Sequence, residues 1–176
     1  MKTNIALIGF MGVGKTAVGK VLAEKLRRKF VELDSLIEQK AGKSIPDMFQ
    51  QDGETAFRKL EIEATKEVSK DRNLVISCGG GIVLNKINID RLRENARMVY
   101  LTASSSVILK RVANEEGQRP LLEAANKALN IRELLEFRKP FYERAADITV
   151  NTSKLDIDAV AEQIIEKLKD DESFDL

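Results

Sequence analysis

The chain has 176 residues, 43% of them hydrophobic, which suffices for the core of one domain. A formal net charge of +1 gives no basis for general polyanion or membrane-surface binding, and no apolar run approaches a membrane span. Histidine is absent and Cys78 is the single cysteine, which excludes histidine-dependent triads, His-ligated zinc, cysteine metal clusters and an intrachain disulfide.

The first element is the apolar run Ile5–Ile8, bounded by glycine, which suits a buried strand. Residues 9–16, Gly-Phe-Met-Gly-Val-Gly-Lys-Thr, follow it and read G-x-x-x-x-G-K-[ST], the P-loop. A helical pattern over 15–27 completes strand, glycine loop, helix, the context this motif needs. Gly9, Gly12 and Gly14 let the backbone turn its N–H groups toward an anion, and the positive helix end points the same way. Gly12, Val13, Gly14, Lys15, Thr16 and Ala17 are thus the candidate nucleotide-phosphate-binding set, with Lys15 able to reach the outer phosphates and the Thr16 hydroxyl able to ligate Mg²⁺.

Phe30–Leu33 is the second strand, with Asp34 at its carboxyl end. In parallel α/β sheets ligands bind beyond that end, so Asp34 faces the P-loop side; a helix N-cap role is the alternative. Glu32 lies on the same side by period two. Helical patterns over 35–41 and 53–70 follow, and residues 34–60 form a candidate substrate-binding insertion. The third strand, Leu74–Ser77, runs into Gly79-Gly80-Gly81, which lets a ligand approach the backbone closely. No Walker B aspartate ends this strand, and Cys78 reads as a small buried residue.

The remaining pattern is a helix at 86–94, a strand at Met98–Leu101, helices at 104–114 and 126–145, a strand at Ile148–Val150 and a helix at 156–169. Strands alternating with helices imply a parallel sheet covered on both faces. Residues 114–126 carry Gly117 and Pro120 between helices and are a candidate lid. The acidic end, 170–176, is expected to fray. Arg58, Arg119 and Arg138 are candidate forks for carboxylate or phosphate, although spacing alone does not select them from other arginines.

The ordered set Gly9–Thr16, Asp34, Phe57-Arg58, Gly79-Gly80-Gly81, Arg119-Pro120-Leu121-Leu122 and Arg138-Lys139-Pro140-Phe141-Tyr142 resembles the shikimate kinase family over nearly the whole chain. The resemblance implies one nucleoside-monophosphate-kinase-like domain over 1–176, an α/β three-layer P-loop fold whose five-stranded parallel sheet runs in the order 2-3-1-4-5. It implies transfer of the ATP γ-phosphoryl group to the 3-hydroxyl of shikimate. Lys15, Asp34 and Arg119 would be catalytic, with Asp34 on the ring hydroxyls as candidate base. Arg58 and Arg138 would grip the carboxylate and the Gly80 and Gly81 backbone would touch the substrate. Arg119 would close over ATP from the lid, and Thr16 would ligate Mg²⁺ with Ser77 near its hydration shell. The family's Asp-x-Asp is Glu32-Leu33-Asp34 here, so the longer Glu32 is expected to reach the metal only through water. Its usual adenine-side Asp and Pro are replaced by Asn151-Thr152-Ser153-Lys154.

Two rivals remain. One is another small-molecule P-loop kinase, such as one similar to gluconate kinase; a neutral or differently charged acceptor would not need the Arg58 and Arg138 pair. A nucleotide-sensing regulator would read guanine, and Asn85-Lys86-Ile87-Asn88 superficially resembles Asn-Lys-x-Asp, with the wrong fourth residue and too early in the chain. A cytoplasmic monomer with no nucleic-acid or membrane partner is the expectation.

Overall fold

The structure is a computed structural model and describes residues 1–113, 127–154 and 156–176. Five parallel strands, β1 (Asn4–Ile8), β2 (Lys29–Glu32), β3 (Leu74–Ser77), β4 (Ala96–Thr102) and β5 (Ile148–Asn151), pair in the order β2-β3-β1-β4-β5. The expected order is therefore found. β1 and β3 are buried at every position, as strands covered on both faces must be.

Helices α1 (Lys15–Leu26), α2 (Leu33–Ala41), α3 (Ile45–Gln51), α4 (Glu54–Val68), α5 (Lys86–Asn95), α6 (Ser105–Ala113), α7 (Lys127–Ala145) and α8 (Ile157–Lys169) flank the sheet. A 3₁₀ turn spans Ile82–Leu84. Gly19 of α1 sits so close to the sheet that a Cβ would lie 2.6 Å from the Phe30 ring and 3.2 Å from Leu7. This pins the first helix, and with it the P-loop, onto β1 and β2.

Three elements differ from the sequence reading. Leu33 opens α2, so Asp34 stands in the first helical turn and not at the end of a strand. The cap falls on Glu32, whose side chain makes no capping bond. Helix α3 has no counterpart among the patterns read from sequence: at seven residues it is too short for a periodic signal. Ser44 starts it by accepting from the Asp47 N–H, with proline in its first turn.

The acidic end is docked, not frayed. Lys2 N–H donates to Ser173 O, and Asp175 N–H returns a bond to Lys2 O, both at 2.9 Å. Phe174 is buried under the Arg28 guanidinium, 4.9 Å from the ring centroid. Arg97 pairs with Asp171 and holds that carboxyl down at about 2. The apolar Phe174 within the acidic run anchors this latch. Among the described residues, no helix is long and apolar enough to cross a membrane.

Candidate active site

The strand order brings the loops after β1 and β3 and the start of α2 to one edge of the sheet, around a cleft of about 1050 Å³. The P-loop forms its floor. Gly9, Gly12 and Gly14 adopt φ of 150°, 81° and 97°, which L side chains avoid. At Gly9 a Cβ would also meet Leu101 O at 2.5 Å. Lys15 Nζ donates to Gly9 O at 2.7 Å and Phe10 O at 3.0 Å, so its ammonium is held at the loop. Thr16 follows in the first turn of α1 and lines the cleft with Gly12, Gly14 and Ala17.

Arg111 and Thr152, which sequence reasoning missed as site residues, buttress this loop, and Arg111 also lines the cleft. Arg111 donates to Gly12 O at 3.1 Å and to Thr152 O at 2.9 Å, and buried Thr152 donates from its hydroxyl to Val13 O at 2.8 Å. No local signal marks this arrangement, because Thr152 and Val13 are 139 positions apart.

Glu32 and Ser77 are register partners at the ends of β2 and β3, and both line the cleft with Thr16 and Asp34. Among the described residues no group of three or more His, Cys, Asp or Glu could cage a metal. A donor set of hydroxyls and separated carboxylates fits Mg²⁺, which keeps its waters and is shared with phosphate. The structure thus brings Glu32 and Asp34 to the same cleft, though from a strand end and a helix turn.

Each glycine of the triplet leaves room for a charged side chain. A Cβ on Gly79 would lie 2.7 Å from Asp34 Oδ1 and 3.2 Å from Glu61 Oε2; one on Gly80 would lie 3.3 Å from Arg138 Nη1. On Gly81 it would strike the Arg58 guanidinium, 2.5 Å from Nη1 and 2.6 Å from Cζ. None of the three has a positive φ, so side-chain room, not backbone freedom, demands glycine here. The expectation of close ligand approach is thereby joined by a second cause.

Helix α4 presents Phe57, Glu61, Ala64, Thr65 and Val68 inward at helical spacing. Glu61 is the one carboxylate in that stripe, a signal that could have marked it. Its Oε1 accepts from Arg58 Nη1 at 3.0 Å, while Oε2 accepts no hydrogen bond. Burial pushes the Glu61 carboxyl up, Arg58 opposes this, and the nearby Asp34 charge adds to the rise. Arg58 also pairs with Glu54 at 3.2 Å. Burial likewise pushes the Cys78 thiol up, which makes it a packing residue and not a nucleophile.

Arg138 of α7 is 2% exposed, and its Nε has no acceptor. No carboxylate of the described residues lies within ion-pair distance of it. A buried guanidinium of this kind suits an incoming anion. Arg119 and the lid segment 114–126 lie outside the described residues. In the guanine-reading alternative, Asn88 is fully buried and donates from Nδ2 to Ile82 O at 3.4 Å, while Asn85 precedes α5. That segment supports the glycine turn from behind and does not line the cleft.

A family model described as shikimate kinase matches residues 11–169. A shikimate kinase of Caldanaerobacter subterraneus subsp. tengcongensis is 46% identical, the alignment covering 92% of this chain and 94% of that one. One from Pelotomaculum thermopropionicum is 43% identical over 95% of this chain and 96% of its own. Among solved structures, the shikimate kinase of Acinetobacter baumannii in complex with shikimate superposes with a TM-score of 0.93 at 34% identity, covering 98% of this chain and 96% of that one. With its sheet order, its P-loop and its length matched alike, this chain belongs to the shikimate kinase family.

Proposed function

We infer that the chain transfers the γ-phosphoryl group of ATP to the 3-hydroxyl of shikimate. The observation that carries the acceptor is Arg138: a guanidinium 2% exposed, without an ion-pair partner among the described residues, beside the Gly80 turn. It suits a substrate carboxylate, and a gluconate-type rival would have to bring its own carboxylate to the same place. Arg58, held by Glu61, supplies the second fork.

Phosphoryl transfer needs positioning and charge stabilisation more than covalent help. The P-loop N–H groups and Lys15 hold the phosphates. Asp34, in the first turn of α2 and backed by Gly79, meets the acceptor hydroxyls and accepts the proton of the one that attacks. Arg58, Arg138 and the Gly80–Gly81 backbone fix the ring, so the hydroxyl lies in line with the phosphorus. Arg119 neutralises charge on the transferring group from the lid, where closure excludes water as a competing acceptor. Thr16 would hold Mg²⁺, with Glu32 and Ser77 close by in the cleft, and the ion would supply charge neutralisation on the phosphates. All these roles fall on one chain, so none of them requires a residue from a second copy.

Calorimetric titration of Arg58→Ala and Arg138→Ala with shikimate and with ATP tests the acceptor site. Each variant is expected to lose roughly 2–5 kcal/mol of shikimate binding, as for a truncated buried charge partner, with ATP binding unchanged. Unchanged shikimate affinity in either variant removes that residue from the site.

A further inference from the structure

Tyr142 is fully buried on α7, one turn beyond Arg138 and on the same helix face. Its hydroxyl donates to Gly80 O at 2.5 Å. Its ring stacks on Tyr100 of β4, with centroids 5.1 Å apart and planes at 21°. Tyr100 is the register partner of Ile8, the last residue of β1 before the P-loop. The hydroxyl is therefore fixed from behind by the sheet itself. A phenol buried for packing alone could have been phenylalanine; this one spends its hydrogen on the peptide next to the Arg138 guanidinium.

We propose that Tyr142 is a positioning residue for the acceptor, holding the Gly80 peptide and the Arg138 guanidinium in one fixed register so that a substrate carboxylate meets both together. The two groups bracket Gly80: Arg138 Nη1 would lie 3.3 Å from a Cβ there, and the Tyr142 hydroxyl holds the carbonyl. The Arg138 positive charge lies close enough to the phenol to oppose part of the rise that burial causes there. Burial pushes the Tyr142 hydroxyl up to about 12, so it keeps that hydrogen across the whole working pH range. Arg138 has no carboxylate of the described residues to orient it, and its Nε has no acceptor. The neutral phenol thus fixes the Gly80 peptide beside the charge without neutralising it, and the charge stays available to substrate.

The proposal rests on the shikimate reading, and its test separates the two. Tyr142→Phe keeps the ring and the stack and removes the hydroxyl. Tyr100→Phe, which removes the other hydroxyl of the stack, is the control. Steady-state kinetics and calorimetric titration with shikimate and with ATP, together with thermal unfolding, are measured on parent and both variants. Tyr142→Phe is expected to raise shikimate KM and Kd about three- to tenfold, the effect of one lost hydrogen bond to a peptide carbonyl, with kcat and ATP Kd within about twofold of the parent. Tyr100→Phe is expected to leave both affinities in place. A Tyr142→Phe protein with a lowered Tm but unchanged shikimate affinity, or one that loses both ligands equally, overturns the proposal and makes the residue structural. A parent that binds ATP but no shikimate overturns the underlying reading and the proposal with it.

Discussion

The guanidinium of Arg58 fills the space that a side chain on Gly81 would need, since a Cβ there would lie 2.5 Å from Nη1 and 2.6 Å from Cζ. The two residues are 23 positions apart, on α4 and at the 3₁₀ turn after β3, and a side chain at Gly81 would have to displace the Arg58 guanidinium. Gly81→Ala is expected to push Arg58 off its Glu61 partner and to weaken shikimate binding by about 1–3 kcal/mol, the usual cost of overpacking. In an Arg58→Ala background the same change is expected to cost little more, because the clash is gone. Titration of the two single variants and the double variant checks this; additive losses would contradict it.

Asp34 and Glu32 line one cleft from different elements and are expected to fail differently. On the proposed assignment Asp34 meets the acceptor hydroxyl, so for Asp34→Asn turnover is expected to fall at least about a hundredfold with ATP binding intact. On the same assignment Glu32 reaches the metal only through water, so Glu32→Ala is expected chiefly to raise the Mg²⁺ concentration needed, and Glu32→Asp to keep most activity. Turnover against Mg²⁺ for the three variants separates the roles. A parent-like Mg²⁺ response in Glu32→Ala with activity retained in Asp34→Asn would reverse both assignments.

How much of this was legible in the sequence depends on where each interaction is made. The P-loop stands out because a local motif carries it, Asp34 and Arg138 only through the family resemblance, and β1 and β3 because a strand buried on both faces reads as an unbroken apolar run. Helix α3 was hidden by its shortness. Asp34 was placed on a strand because Leu33 is apolar and continues the β2 pattern; being buried, it serves equally as the first inward residue of α2. The glycine triplet was read as room for a ligand, whereas each glycine also makes room for a side chain from α2, α4 or α7. Arg111, Thr152 and the Tyr142 hydroxyl act through carbonyls far away in the chain, and no sequence pattern encodes such contacts.

Glu61 makes stability depend on pH. Burial raises its carboxyl above the ordinary 4.5 in the folded chain, so the folded state holds the proton more tightly than the unfolded one. Its contribution to stability is therefore full below 4.5 and is lost as pH rises through the raised folded value. Glu61→Gln does not titrate. The unfolding free energy of the parent minus that of Glu61→Gln is expected to fall as pH rises from about 4.5 toward neutrality, in paired denaturant titrations. A difference that grows over that range would contradict the assigned direction.

The docked end predicts a stability cost far from the cleft. Phe174 is 6% exposed, and Phe174→Ala is expected to destabilise by about 3 kcal/mol, near the low end for a buried phenylalanine. Shikimate affinity should not change. Chemical denaturation checks this, and a loss below about 0.5 kcal/mol, typical of surface positions, would mean that the end does not pack in solution.

The central claim is that this cleft phosphorylates shikimate. Coupled ADP release, measured with Mg²⁺ and ATP and with shikimate, gluconate or no added acceptor, tests it most directly. The account predicts rapid ADP release with shikimate alone, and a background rate with gluconate equal to that without acceptor. Equal ADP release in all three mixtures, or a rate that rises with gluconate and not with shikimate, would contradict it.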